Sequence, residues 1–317
     1  WNALLDTLNH HRDNVNVPFE RMVTERQVPD HEDTDLEPEH LDEQIARLND
    51  VLTAENRVLL QDFWQSKMVA NLSDEARERL DDAYPVIIHA LLAHQEQQQL
   101  ANTALPRLIT LLEAICRRSI YLVMIAENPN ATIELIPMLS ASPWIAKELA
   151  HYPVLLDTFL QQRYRHLPDK PELRDILRQQ LLRVEPNDEE ELLSVLRLFK
   201  KNQVLAVAAS DVLAERPIMK VSDSLTYIAA VVLEAALERA FAEIVKRYGY
   251  PIGQDGDPVT EADCGFAIIG YGKLGGLELS YSSDLDLVFL HKIKEQGMTT
   301  GEKSVSGMKF AARLVQK

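Results

Sequence analysis

All eleven glycines of this 317-residue chain lie at or after Gly249, and the 248 residues before it contain none. Glycine supplies positive-φ turns and close backbone approaches, so an α/β domain of that length rarely dispenses with it. A helical array can, because prolines and polar caps can end its helices. Ser142-Pro143 reads as the N-cap and first residue of a helix that stops before Pro153. Asp169 or Lys170, followed by Pro171, opens another that runs through Leu173, Ile176, Leu177 and Leu181 to a stop near Pro186. Asn187-Asp188 precedes a long helix carrying Leu192, Val195, Leu196 and Phe199 to about Leu213. Asp223 reads as the cap of a helix bearing Leu225, Ile228, Val232, Ala235 and Phe241, with Gly249 just past its end. Upstream, the 3.6-residue spacing predicts helices to about Lys67 and from Asp74 to about Gln99.

This punctuation divides the chain into four parts. Residues 1–28 read as the helical tail of a preceding domain, and 29–43, acidic and holding Pro38, as a solvated linker. Residues 44–248 form the helical domain, and 249–317 a small α/β domain. The first residue is Trp1, and an amphipathic helix on Met308, Phe310, Ala311, Leu314 and Val315 is still running at Lys317. We therefore expect a piece of a longer chain. A formal charge of −16 argues against a nucleic-acid surface, which is usually strongly basic. Cys116 and Cys264 are too few and too far apart for a disulfide framework or zinc site, which fits a cytoplasmic protein. No apolar run approaches the ~18–20 residues of a membrane span. The nine histidines form no metal-binding spacing; Trp64 and Trp144 read as core or interface anchors.

The chemistry concentrates between Gly270 and Leu290. Residues 266–269 read as a short apolar strand, a glycine-rich turn follows, and 284–290 reads as a second, buried strand. Within a strand, residues two apart share a face, with Cα atoms roughly 6.5–7 Å apart. Asp284 and Asp286 would then stand side by side, and such a pair repels itself unless a cation binds it. Two hard oxygen ligands suit Mg²⁺, which commonly takes one or two carboxylates and completes its shell with water and phosphate oxygens. The pair Gly275-Gly276 would let backbone approach a triphosphate. The pattern points to metal-dependent phosphoryl or nucleotidyl transfer. Three other readings compete. Gly270-Tyr-Gly-Lys-Leu-Gly275 is a literal G-x-G-x-x-G, but too little chain follows it for the long helix of a dinucleotide-binding turn. A kinase glycine loop lacks its downstream lysine strand. A plain hairpin with solvated aspartates is the third.

The string Gly270-Tyr-Gly-Lys-Leu-Gly-Gly-Leu-Glu-Leu-Ser-Tyr-Ser-Ser-Asp-Leu-Asp-Leu resembles the signature of the glutamine synthetase adenylyltransferases. The likeness extends to Ala141-Ser-Pro-Trp-Ile-Ala-Lys-Glu-Leu-Ala-His-Tyr-Pro, Leu182-Arg-Val-Glu-Pro, Pro217-Ile-Met-Lys-Val-Ser-Asp-Ser-Leu, and His11-Arg-Asp-Asn-Val. These bifunctional enzymes carry two polymerase-β-type nucleotidyltransferase domains. The resemblance therefore implies a mainly α-helical array followed by an incomplete α/β nucleotidyltransferase domain, spanning the end of the first half and the start of the C-terminal half. It implies AMP transfer from ATP to a tyrosine of glutamine synthetase, regulating nitrogen assimilation. The alternatives are the phosphorolytic deadenylylating half and a non-catalytic helical scaffold. Asp284 and Asp286 would bind Mg²⁺ and serve catalysis. Gly275, Gly276, Ser283 and Lys273 would contact the nucleotide. Glutamine synthetase, a PII signalling protein and glutamine as effector would be the partners. The family's third carboxylate does not occur within residues 1–317, so little activity is expected of them alone. Ala206 stands where the pattern leads one to expect arginine.

Overall fold

The computed structural model describes residues 41–185, 188–214 and 216–317. The tail expected over 1–28, and the linker as far as residue 40, lie outside the described residues. The chain divides into two compact units, Trp1–Gln44 and Ile45–Lys317. Of the first, only the opening residues of α1 (Leu41–Val51) are described. The second unit follows.

Hydroxyl-bearing residues start the short helices as their sequence suggests. α2 (Ala54–Trp64), α3 (Lys67–Ala70) and α4 (Asp74–Leu92) follow Thr53, Ser66 and Ser73, each accepting a first-turn N–H. The helix expected to reach residue 99 is two. α4 stops at Leu92, and a 3₁₀ turn at Gln95–Gln97 leads into α5 (Gln98–Ile115). α6 (Ser119–Glu127), α7 (Pro129–Ala141), α8 (Pro143–His151) and α9 (Leu155–Leu160) continue the array. Ser142 caps α8 by accepting the Trp144 N–H. Proline punctuates less strictly than expected: Pro85, Pro106 and Pro137 lie inside α4, α5 and α7.

Three further helices follow: α10 (Lys170–Leu181), α11 (Glu189–Ala214) and α12 (Ile218–Tyr248). Asp169 and Glu172 form a reciprocal capping box at the start of α10. The cap expected at Asp223 is a correction. α12 begins at Ile218, so Asp223 lies inside it, 3.8 Å from Lys220 one turn earlier. Pro217 opens the helix, its carbonyl accepting the Lys220 N–H. Gly249 ends α12 with φ 77°, as its position in the sequence suggests.

Three apolar clusters run through the unit. The first unites α4 to α9 with Leu205, Ala206, Ala208 and Ala209 of α11. The second joins Leu173 and Leu177 of α10, Leu196 and Phe199 of α11, and Val221 to Val231 of α12. The third packs Phe241, Ile244 and Tyr248 of α12 against Cys264, Ile293, and Phe310, Ala311 and Leu314 of α14 (Gly307–Gln316). α11 thus passes through the first and second clusters, and α12 through the second and third. Met308 and Val315, expected on the apolar face of α14, are exposed. Both cysteines are free and buried. Among the described residues, no helix is long and apolar enough to cross a membrane.

Among the described residues the strands form a two-stranded antiparallel sheet, β1 (Ala267–Tyr271) and β2 (Asp286–Leu290). Ile269 faces Val288 and Tyr271 faces Asp286 across it. The second strand was expected to begin at Asp284 and to be buried; neither holds. Tyr271 is the last residue of β1, and Gly272 turns away with φ 54°, leaving no strand for Asp284 and Leu285 to pair with. Only one face of the sheet is covered, so Val288 and Leu290 remain 43% and 54% exposed.

One ion-pair cluster ties α10 to α12: Glu234 meets Lys170 at 2.8 Å and Arg174 at 2.7 Å. Burial pushes the Glu234 carboxyl up, but the hydrogen bonds and charges of Lys170 and Arg174 outweigh it and hold it below its usual range. A depressed carboxylate contributes stability above its unfolded pKa and loses it as pH falls through the folded value. Glu234→Gln should therefore cost up to about 1 kcal/mol at pH 7, because the cluster is exposed. In urea titrations the gap from the parent should close below about pH 4.

Candidate functional site

The glycine-rich segment folds by steric necessity. After β1, Gly272–Gly275 forms a single helical turn, α13, that packs back on the strand. A Cβ on Gly270 would lie 2.7 Å from the Leu274 side chain, and one on Gly275 would lie 2.6 Å from the Gly270 carbonyl oxygen. A Cβ on Gly272 would lie 2.4 Å from Oδ2 of Asp286. Packing therefore requires Gly270 and Gly275, and the left-handed φ of 54° favours glycine at 272. Gly276 differs: its φ is −81°, and a Cβ there would find only ordinary contacts at 3.5 Å. The turn closes with paired bonds, Glu278 N–H to the Lys273 carbonyl at 2.8 Å and Leu277 N–H to the Leu274 carbonyl at 3.3 Å. Leu277 takes the left-handed conformation usual for glycine at that position. Antiparallel strands joined by a four-residue helix cannot be a dinucleotide-binding turn, which needs parallel strands and a long crossover helix.

The loop between α13 and β2 is fastened to the helical array. Leu279 is 4% exposed and belongs to the second apolar cluster. The Tyr281 ring lies 6.0 Å from that of Trp144 in α8, and its hydroxyl donates to Oδ2 of Asp211 in α11 at 2.8 Å. Burial, then the hydrogen bond and charge of Asp211, raise the Tyr281 phenol above its usual range, so it keeps its proton and remains a donor. Ser283 accepts the Ser280 N–H at 2.9 Å, and the two hydroxyls meet at 2.8 Å. These bonds shape the loop, and the Ser283 hydroxyl is half-buried in doing so.

Asp284 and Asp286 are both exposed, and neither carboxylate has an ion-pair or hydrogen-bond partner among the described residues. Asp286 opens β2, with its carboxylate over the bare α-carbon of Gly272; Asp284 lies in the irregular segment just before the strand. No group of three or more metal-ligating side chains occurs among the described residues. Two unpartnered carboxylates, one seated in a glycine cradle that a Cβ would fill, fit Mg²⁺, which needs few protein ligands and shares its shell with phosphate and water. Lys273 is exposed within the turn, and its side chain is also without a partner among the described residues. The Gly276 N–H is donated to the Gly272 carbonyl at 3.0 Å, so it is not a free donor.

Sequence reasoning singles out the aspartates and the glycines as candidates but does not foresee the approach of Asp286 to Gly272 or the Tyr281–Asp211 bond. Each joins residues whose proximity only the folded chain creates.

The sequence profile of the family described as glutamate-ammonia ligase adenylyltransferase matches residues 132–317. The chain is 46% identical over 318 residues to the bifunctional glutamine synthetase adenylyltransferase/adenylyl-removing enzyme of Acinetobacter baylyi, a match covering 100% of this chain and 33% of that protein. The enzyme of the same name from Hahella chejuensis is 38% identical over 329 residues, with coverage of 100% and 33%. That from Thioalkalivibrio sulfidiphilus is 43% identical over 261 residues, covering 81% of this chain and 26% of the relative. The chain spans about a third of the length of the first two relatives.

Proposed function

The chain belongs to the glutamate-ammonia ligase adenylyltransferase family, and from that membership we propose that it forms part of an Mg²⁺-dependent nucleotidyltransferase carrying AMP from ATP to a tyrosine of glutamine synthetase. The relatives' names, which give glutamine synthetase as what they adenylylate, support the substrate. Residues 249–317 are read as part of a polymerase-β-type domain and 44–248 as the helical domain that carries it. The setting proposed is cytoplasmic, with a PII signalling protein and glutamine as regulators.

The reaction joins the tyrosine oxygen to the α-phosphorus and breaks its bond to the α,β-bridging oxygen, releasing pyrophosphate. A tyrosine hydroxyl, with a pKa of ~10, must lose its proton as it attacks. Mg²⁺ held by Asp284 and Asp286 would neutralise charge on the phosphate oxygens. The chain's own part is positional. Gly272 leaves room for the Asp286 carboxylate, and Gly276 leaves the turn open to the triphosphate. Lys273 supplies a positive charge on the turn, and Ser283 directly precedes Asp284 in the chain.

The observation that carries this reading is the pair of exposed carboxylates without a partner among the described residues, that of Asp286 seated against Gly272. Calorimetric titration with ATP tests it. Binding should be present with Mg²⁺ and absent with EDTA. ATP binding indifferent to the metal, or no binding at all, would overturn it.

A further inference from the structure

The position of Asp284 is bracketed by two fixed points. Behind it, Asp286 is held in the sheet by pairing with Tyr271. Ahead of it, Tyr281 is tied to the helical array, its hydroxyl on Asp211 and its ring beside Trp144. Only residues 282–285 lie between, and none belongs to a helix or strand. Their bonds among the described residues run within the loop itself, between Ser280 and Ser283. A segment so short has little freedom while both ends are held, and a great deal once one is released. The hydroxyl bond spans 70 positions, so it fixes the loop against the array and not merely within itself. Asp211 is half-buried in α11, whose next turns back contribute Val207 and Ala208 to the apolar clusters, so the acceptor is rigid.

We propose that Tyr281, anchored on Asp211, is a positioning residue that sets Asp284 beside Asp286 for divalent-cation binding. This rests on the reading of the two aspartates as a metal pair. It assigns the helical array a share in building the site: α11 supplies the anchor, α8 the wall behind the ring.

Mn²⁺, followed by the loss of its free resonance signal, serves as the probe, together with amide hydrogen exchange. Tyr281→Phe keeps the ring and deletes the donor. It should weaken Mn²⁺ binding about tenfold, the range for groups that orient metal ligands. Asp211→Ala should match it, and the double variant should be no worse than either. Asp211→Asn, which retains an acceptor oxygen, should stay within about threefold of the parent. Exchange over residues 282–286 should quicken at least about tenfold in Tyr281→Phe, with α8 and α11 unchanged. General destabilisation would instead quicken exchange in the helices and would not be rescued by asparagine. Parent-like Mn²⁺ binding by Tyr281→Phe, with binding lost in Asp284→Asn, overturns the proposal and leaves the metal reading intact. Should the parent bind no Mn²⁺, the metal reading fails by itself. The exchange data then decide whether Tyr281 fixes the loop: unchanged rates overturn it, faster rates uphold the anchor.

Discussion

Alanine at Asp284 and Asp286 together should weaken Mg²⁺-dependent ATP binding by more than about 100-fold, beyond the 10–100-fold typical of losing a group that only supports a metal ligand. Among the described residues neither carboxylate has a partner to lose, and both are exposed, so the double variant should unfold within about 0.5 kcal/mol of the parent. A large functional effect with a negligible structural one is the signature of ligands. Gly272→Ala supplies the graded counterpart. Its Cβ would arrive 2.4 Å from Asp286 Oδ2 at a backbone φ of 54°. The left-handed conformation costs about 1–2 kcal/mol and the carboxylate must swing aside. Cation affinity should fall about tenfold although both aspartates remain. If both variants titrate like the parent, the carboxylates are ordinary solvated surface groups.

Gly249→Ala should be the most destabilising single substitution considered, at least about 3 kcal/mol by urea unfolding. Gly249 lies at the end of α12 with φ 77°, and a Cβ there would land 2.0 Å from the backbone nitrogen of Gly301. That atom cannot step aside, because the Gly301 N–H donates to the Tyr248 carbonyl at 3.0 Å and the Thr300 N–H to that of Tyr250 at 3.0 Å. Gly301→Ala meets the same obstacle from the other side, with its Cβ 2.5 Å from the Tyr248 carbonyl. The two substitutions break one contact, so their costs should not add. Gly256→Ala is the control. It shares a positive φ, 93°, but has nothing within 4 Å, and should cost only about 1 kcal/mol of backbone strain.

Local chemistry made much of this legible from sequence. The start of α8 could be read from Ser142-Pro143, and the start of α10 from Asp169-Lys-Pro, because capping is settled within three residues. Asp223 misled because a helix interior tolerates an aspartate that pairs one turn away, while Pro217 had already opened the helix. The strand at 284 began two residues late because strand ends depend on the partner, and β1 stops at Tyr271. Its apolar composition suggested burial, yet composition cannot tell how many faces of a sheet are covered. In the site, the two acids and the glycine pair were visible as a pattern. The steric reason for Gly272 and the bond from Tyr281 to Asp211, 70 positions earlier, were not, since both belong to the fold.

The 31 residues of α12 run unbroken for about 46 Å, from the second apolar cluster beside Leu279 to the third beneath α14. A beam of that length converts angle into travel: a tilt of about 2° at one extremity shifts the other by about 1.6 Å. Forces applied far away along the array can therefore arrive at the opposite end as movement, with no hydrogen bond inside the beam having to break.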